Sequence, residues 1–180
     1  MKKSCVYLLL FVAMIFGCAE EQIANCENCD FNCVDTADRD IITNSCEGNW
    51  TCTFEFKPGM KVDLESENFI GNGVGDKNFF VVARSTEGDP GIADDEITYI
   101  LIFDLKESLS SFSVEDAEFA DLNIHFKRLC FCVNIDFFPV TNGCLQGELQ
   151  DDGTWRIQGS IMTPTPMEEF EFKFDANFES

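Results

Sequence analysis

With 33 acidic residues against 12 basic ones in a chain of 180, the formal charge is −21; such a surface repels nucleic acid and anionic headgroups, which need a basic face. A hydrophobic share of 45%, with 19 phenylalanines against two tyrosines, provides one domain with a real core in which Phe is the main packing aromatic. After residue 18 no apolar run approaches the ~18–20 residues of a membrane-spanning helix.

The chain opens on a positive start, Lys2 and Lys3, followed by an apolar run of twelve residues from Cys5 to Phe16. That run is too short to cross a bilayer and has the ~7–15-residue length of the core of an export signal. It stops abruptly at Gly17-Cys18, and Glu20 and Glu21 follow. Ile15-Phe16-Gly17-Cys18 resembles the lipobox of bacterial lipoprotein precursors, with an aliphatic residue three positions before an obligatory cysteine and a small residue directly before it. Phe16 stands where a small or aliphatic residue is usual. The resemblance covers the signal segment alone. It implies cleavage before Cys18, a diacylglycerol on Cys18 Sγ and an acylated amine, palmitate being the expected acyl group. It also implies an exported protein held at the outer membrane or cell surface through its lipid. Ala19 is not the aspartate that retains enteric lipoproteins in the inner membrane, and Glu20-Glu21 is similar to the surface-export signal of Bacteroidota lipoproteins. Each buried methylene contributes about 0.8 kcal/mol and one myristoyl chain is marginal, so two or three chains make a stable anchor.

The expected organisation is a signal peptide over 1–17, a tether over 18–25, a cysteine-rich cap over 26–48 and a β domain over 49–180. Loss of the signal removes two lysines and leaves ten basic residues against 33 acidic ones. Eight cysteines remain: Cys26, Cys29, Cys33, Cys46, Cys52, Cys130, Cys132 and Cys144. An even number in an exported chain argues for disulfides, with the pairing left open. The cap is too polar to bury much surface, so cross-links replace core.

From Trp50 the pattern has period two. Trp50, Cys52, Phe54 and Phe56 share a face, Lys57-Pro58-Gly59 offers turn chemistry, and Met60, Val62 and Leu64 alternate with Lys61, Asp63 and Glu65, which predicts a hairpin. Residues 69–78 read as a glycine-rich loop, Phe79–Arg84 as a short strand and 85–96 as a second loop. Ile97 to Leu105 alternates, but Ile100 and Ile102 on its second face predict a central strand covered on both sides. A short helical turn is expected near Val114–Ala120. Further alternation covers Leu122–Phe126, Leu129–Phe137, Leu145–Leu149, Trp155–Ile161 and Phe170–Phe178, with a hairpin turn at Asp151-Asp152-Gly153. Seven to nine short alternating strands and no long amphipathic helix give an all-β fold, a single antiparallel sandwich or barrel behind a disulfide-rich N-terminal segment.

Little of the catalytic vocabulary is present. Cys26-Glu27-Asn28-Cys29 is a CxxC, but Glu27 and Asp30 oppose the thiolate that redox chemistry needs. Cys26, Cys29, Cys130 and Cys132 have the ligand number of a zinc site, yet the second pair is CxC and export favours oxidation, so disulfides are expected and no metal set or cofactor is assigned. Gly71-Asn72-Gly73-Val74-Gly75 lacks the ending of a phosphate loop. His125, the one histidine, falls on a polar strand face with Asn123 and Lys127, and there is no GxSxG elbow. Asn49-Trp50-Thr51 is a glycosylation sequon, without consequence in a bacterial chain. Asp35/Asp38/Asp40 and Glu87/Asp89/Asp94/Asp95/Glu96 offer hard oxygen ligands to calcium, outside the EF-hand register. The expectation is a non-catalytic binding or surface-structural module, anchored through Cys18, whose partner is a protein or glycan. The alternatives are a hydrolase or glycan-active enzyme working through paired carboxylates, or a calcium-dependent binding module.

Overall fold

The computed structural model describes residues 31–35, 37, 38, 40–62, 70–86, 88, 92, 96–130, 136–164 and 169–180. The expected signal and tether, Cys18, Cys26, Cys29, Cys132, the strand expected over 131–135 and most of the acidic 87–96 cluster lie outside them.

Two antiparallel sheets form the fold. The larger contains, in spatial order, β2 (Ile70–Val74), β1 (Trp50–Val62), β3 (Lys77–Thr86), β4 (Thr98–Lys106), β6 (His125–Leu129) and β7 (Phe138–Pro139). The smaller runs β10 (Glu171–Phe178), β9 (Trp155–Met162), β8 (Gly143–Leu149) and β5 (Ser111–Glu115). Both sheets stay open, so the fold is a sandwich and not a closed barrel. A 3-10 helix, Asp116–Leu122, carries the chain from β5 towards β6 and buries Phe119 and Leu122.

Alternation decides which side chains meet. Phe80 and Val82 of β3, Leu101, Phe103 and Leu105 of β4, and Phe126 of β6 face Phe112, Leu145, Trp155, Ile157, Phe172, Phe174 and Phe178 of the smaller sheet in one continuous core. Phe80 stacks on Phe103 at 4.9 Å between centroids and meets Trp155 and Phe178 edge-on at 5.6 Å. Burial of each such ring contributes about 1.5–3 kcal/mol. Gly147 and Gly159 sit on the inner face of β8 and β9, where a β-carbon would collide with the rings of Phe112 and Phe174; the missing side chains are the space those rings occupy.

The expectation of a doubly covered central strand holds. Every residue of β4 from Ile100 to Leu105 is buried. Its outward Ile100 and Ile102 join Phe79 in a second apolar cluster, flanked by Met60, Val81, Ala83, Leu129 and Phe137.

The hairpin expected at Lys57-Pro58-Gly59 does not form. β1 continues through it as one strand of 13 residues, and the register against β3 slips between Lys57↔Phe79 and Met60↔Lys77. Proline lacks an N–H, and Gly59 adopts a φ of +64°; both suit a bulge in a continuing strand as well as a turn. The N–H of Gly75 donates to the Gly59 carbonyl at 2.8 Å. Part of the glycine-rich 69–78 stretch is strand, since β2 pairs with β1. The turn at Asp151-Asp152-Gly153 forms, with the Asp152 carboxylate accepting from the Thr154 N–H (3.0 Å) and hydroxyl (2.7 Å).

Candidate functional site

The segment 31–46 is a strap laid over the outer face of the smaller sheet. Phe31 lies beneath the Arg156 guanidinium, 4.6 Å from the ring centroid. Asn32 and Gln146 exchange two hydrogen bonds, Asn32 N–H to Oε1 at 3.0 Å and Gln146 Nε2 to Oδ1 at 3.1 Å. Cys33 is joined to Cys144 of β8, with a Cα separation of 5.4 Å. Asp38 Oδ2 accepts from Lys173 Nζ of β10 at 2.7 Å. The strap then reaches the sheet edge and becomes part of it. Ile42 pairs in parallel with Phe174, its N–H donating to the Lys173 carbonyl at 2.9 Å and its carbonyl accepting from the Asp175 N–H at 3.0 Å. Asn44 accepts from and donates to the Asn177 backbone, both at 2.7 Å. A second disulfide, Cys46–Cys52, ties the end of the strap to β1.

Both bridges therefore fasten the cap to the sandwich and not to itself. Cys130 is disulfide-bonded as well, which removes it as a thiolate ligand and breaks the four-cysteine zinc set.

Where the strap passes from one sheet to the other it leaves a cleft of about 1000 Å³, lined by Asp38, Asp40, Glu47, Asn49, Trp50 and Arg84 among others. The Arg84 guanidinium lies over Trp50, 4.1 Å from its centroid. Trp50 stacks on Tyr99 at 6.1 Å, and Tyr99 meets Phe170 edge-on at 5.2 Å. Arg84 thus ends a row of aromatics at the open end of the sandwich. Its Nε is buried without a hydrogen-bond partner. Burial lowers its pKa, opposed by the fields of Tyr99 and Asp40.

The acids of the cleft divide into two kinds. Asp38 is committed to Lys173, and Asp175 to Arg156 at 3.1 Å and Gln158 at 2.8 Å. The carboxylates of Asp40 and Glu47 accept no hydrogen bond and enter no ion pair among the described residues. They line the same cleft as Arg84.

The Asp35/Asp38/Asp40 cluster does not converge. Asp35 Oδ1 accepts from the Ala37 N–H at 2.9 Å and Asp38 Oδ1 from the Asp40 N–H at 3.1 Å. Among the described residues no three His, Cys, Asp or Glu side chains are grouped to hold a metal ion. Asp104 is the one buried carboxylate among them, 3% exposed. It lies towards the far end of β4, where Lys77 Nζ at 2.6 Å and Asn123 Nδ2 at 3.2 Å donate to it. His125 is half-buried, its Nδ1 3.0 Å from the Asn123 carbonyl oxygen.

Sequence reasoning singled out Asp38 and Asp40 for calcium and placed Trp50 on a core face, but did not bring Arg84 to them. The signal was present: in Phe80, Val82, Arg84 a cation continues the inward face of a strand, and an inward arginine at a strand end marks where a core meets a cleft. No protein-family model matches the chain, and neither a curated protein nor a solved structure matches it.

Proposed function

We propose that this chain is a cell-envelope lipoprotein, anchored through a lipidated Cys18, whose β-sandwich is a non-catalytic binding module with its site in the cleft between strap and sandwich. The cleft carries the reading: about 1000 Å³ bounded by Trp50, Arg84, Asp40 and Glu47, on a frame fixed by Cys33–Cys144 and Cys46–Cys52. Pockets of roughly 300–1000 Å³ with a few placed polar groups are the usual form of a ligand site. The anchor rests on Lys2-Lys3, the apolar run and Ile15-Phe16-Gly17-Cys18. Twelve residues lie between Cys18 and Phe31, a reach of about 45 Å at full extension over the thirteen steps, so the sandwich would work close to a membrane surface.

Metabolic labelling with a palmitate analogue and membrane fractionation test the anchor. Wild type is expected to be labelled and membrane-bound, and Cys18→Ala to be unlabelled and released. A Cys18→Ala protein that fractionates and is processed like wild type refutes the anchor and leaves the cleft as a separate question.

A further inference from the structure

We infer that the cleft takes an uncharged, polyhydroxylated ligand, a neutral glycan chain, with Arg84, Asp40 and Glu47 as its polar contacts; this rests on the cleft being the binding site. The lining offers two carboxylate acceptors, Asp40 and Glu47, together with one donor, Arg84. An anion would meet Asp38, Asp40, Glu47 and Asp175 in the wall and a chain of −21 behind them. A cation is drawn to Asp40 and Glu47 but leaves the donors of the Arg84 guanidinium, which is stacked on Trp50 at 4.1 Å and enters no ion pair among the described residues, without an acceptor. A hydroxyl meets both demands with one oxygen. It donates to a carboxylate, which only accepts, and accepts from a guanidinium, which only donates. Hydroxyls along a glycan chain can therefore use Arg84 and the two unspent carboxylates, with hydrogen bonds strengthened by the charge on the protein partner. The half-buried Ile41 and the edge of Trp50 supply apolar surface to the C–H groups of the ring. Asn49, exposed at the same wall, adds an amide that both donates and accepts.

Fluorescence of the full chain in detergent micelles can read the site, because Trp50 and Trp155 are its two tryptophans and Trp155 is fully buried. Emission is followed on titration with neutral oligosaccharides of gluco-, manno-, galacto-, xylo- and N-acetylglucosamine backbones, with hexalysine and with oligogalacturonate, each at low and high salt. At least one neutral oligosaccharide is expected to change the emission, with a midpoint that salt does not move. Asp40→Asn and Glu47→Gln, both at exposed positions, should each weaken it about tenfold without changing the melting temperature, and Trp50→Phe should abolish the signal. A response to hexalysine or oligogalacturonate alone, or one that salt screens away, overturns the ligand class but keeps the cleft as a binding site. Sugar binding unchanged in Asp40→Asn and Glu47→Gln places it elsewhere and overturns the inference. Silence from every probe overturns the inference together with the cleft reading.

Discussion

The ring of Phe174 fills the space that a β-carbon on Gly159 would require. The two residues are register partners on β10 and β9, and the ring lies over the bare glycine backbone with Leu145 beside it. Gly159→Ala should therefore force the ring from its rotamer and cost about 1–3 kcal/mol, the range for an overpacked core. Gly153→Ala, at a turn where nothing lies near the added atom, separates this clash from backbone strain, since Gly153 has a φ of +86° and Gly159 needs no such conformation. Denaturant unfolding should show a lower midpoint with an unchanged slope for Gly159→Ala.

The two described disulfides should differ in weight. Cys33–Cys144 closes a separation of 111 residues and Cys46–Cys52 one of six. Loop-closure entropy assigns them about 5 and about 2 kcal/mol. Cys33→Ala/Cys144→Ala should lower stability by more than Cys46→Ala/Cys52→Ala, as unfolding midpoints in urea will show. The reverse order would mean that the denatured chain keeps the strap near β8 without its covalent link.

The β9–β10 edge should weaken in acid. Hydrogen bonds from Lys173 and Ser160 hold the Glu171 carboxyl below its usual range, and those to Asp38 and then Glu171 raise Lys173 above its own. A carboxyl with a depressed folded-state pKa stabilises fully above its unfolded value, and that stability is lost as pH falls through the folded one. A raised lysine behaves oppositely, its contribution being complete below its unfolded pKa and lost as pH rises through the folded one. The unfolding midpoint should therefore fall as pH drops through and below the ordinary carboxylate range, as the Glu171 contacts to Lys173 and Ser160 are lost. Glu171→Gln should flatten that limb. A curve unchanged by the substitution would assign the acid sensitivity to other groups.

The Asp104 carboxylate depends on two donors, Lys77 and Asn123. Lys77→Met would remove the only cation paired with it among the described residues, so a cost of about 2 kcal/mol is expected. Lys57→Met, which loses a pair in which both side chains are exposed, should cost under about 1 kcal/mol. Thermal melts of the two variants compare them directly.

The sandwich was legible wherever one strand face was apolar and the other polar. Phe172, Phe174, Ala176 and Phe178 against Glu171, Lys173, Asp175 and Asn177 define β10 almost residue for residue. Ile100 and Ile102 revealed a strand buried on both sides for the same reason. The stretch at Pro58-Gly59 misled because a turn and a bulge ask for the same residues, and only the partner strand decides between them. The strap was opaque for a different reason. Its polar sequence has no period of its own, and it is held by contacts such as Asp38–Lys173 and Asn44–Asn177, more than a hundred residues apart in the chain. The cleft inherits that opacity, since its walls are one stretch of the strap with the residues that follow it, the first residue of β1, one end of β3 and one residue of β10.

The Cys33–Cys144 bond also settles where mechanical load goes. Tension arriving at Cys33 from the N-terminal side passes through sulfur into β8, an interior strand flanked by β5 and β9. The weaker hydrogen-bonded zipper of Ile42 and Asn44 against β10 lies beyond that junction, and so does the wall of the cleft. A pull arriving at Cys33 is thus grounded in β8 before it reaches the part that can peel.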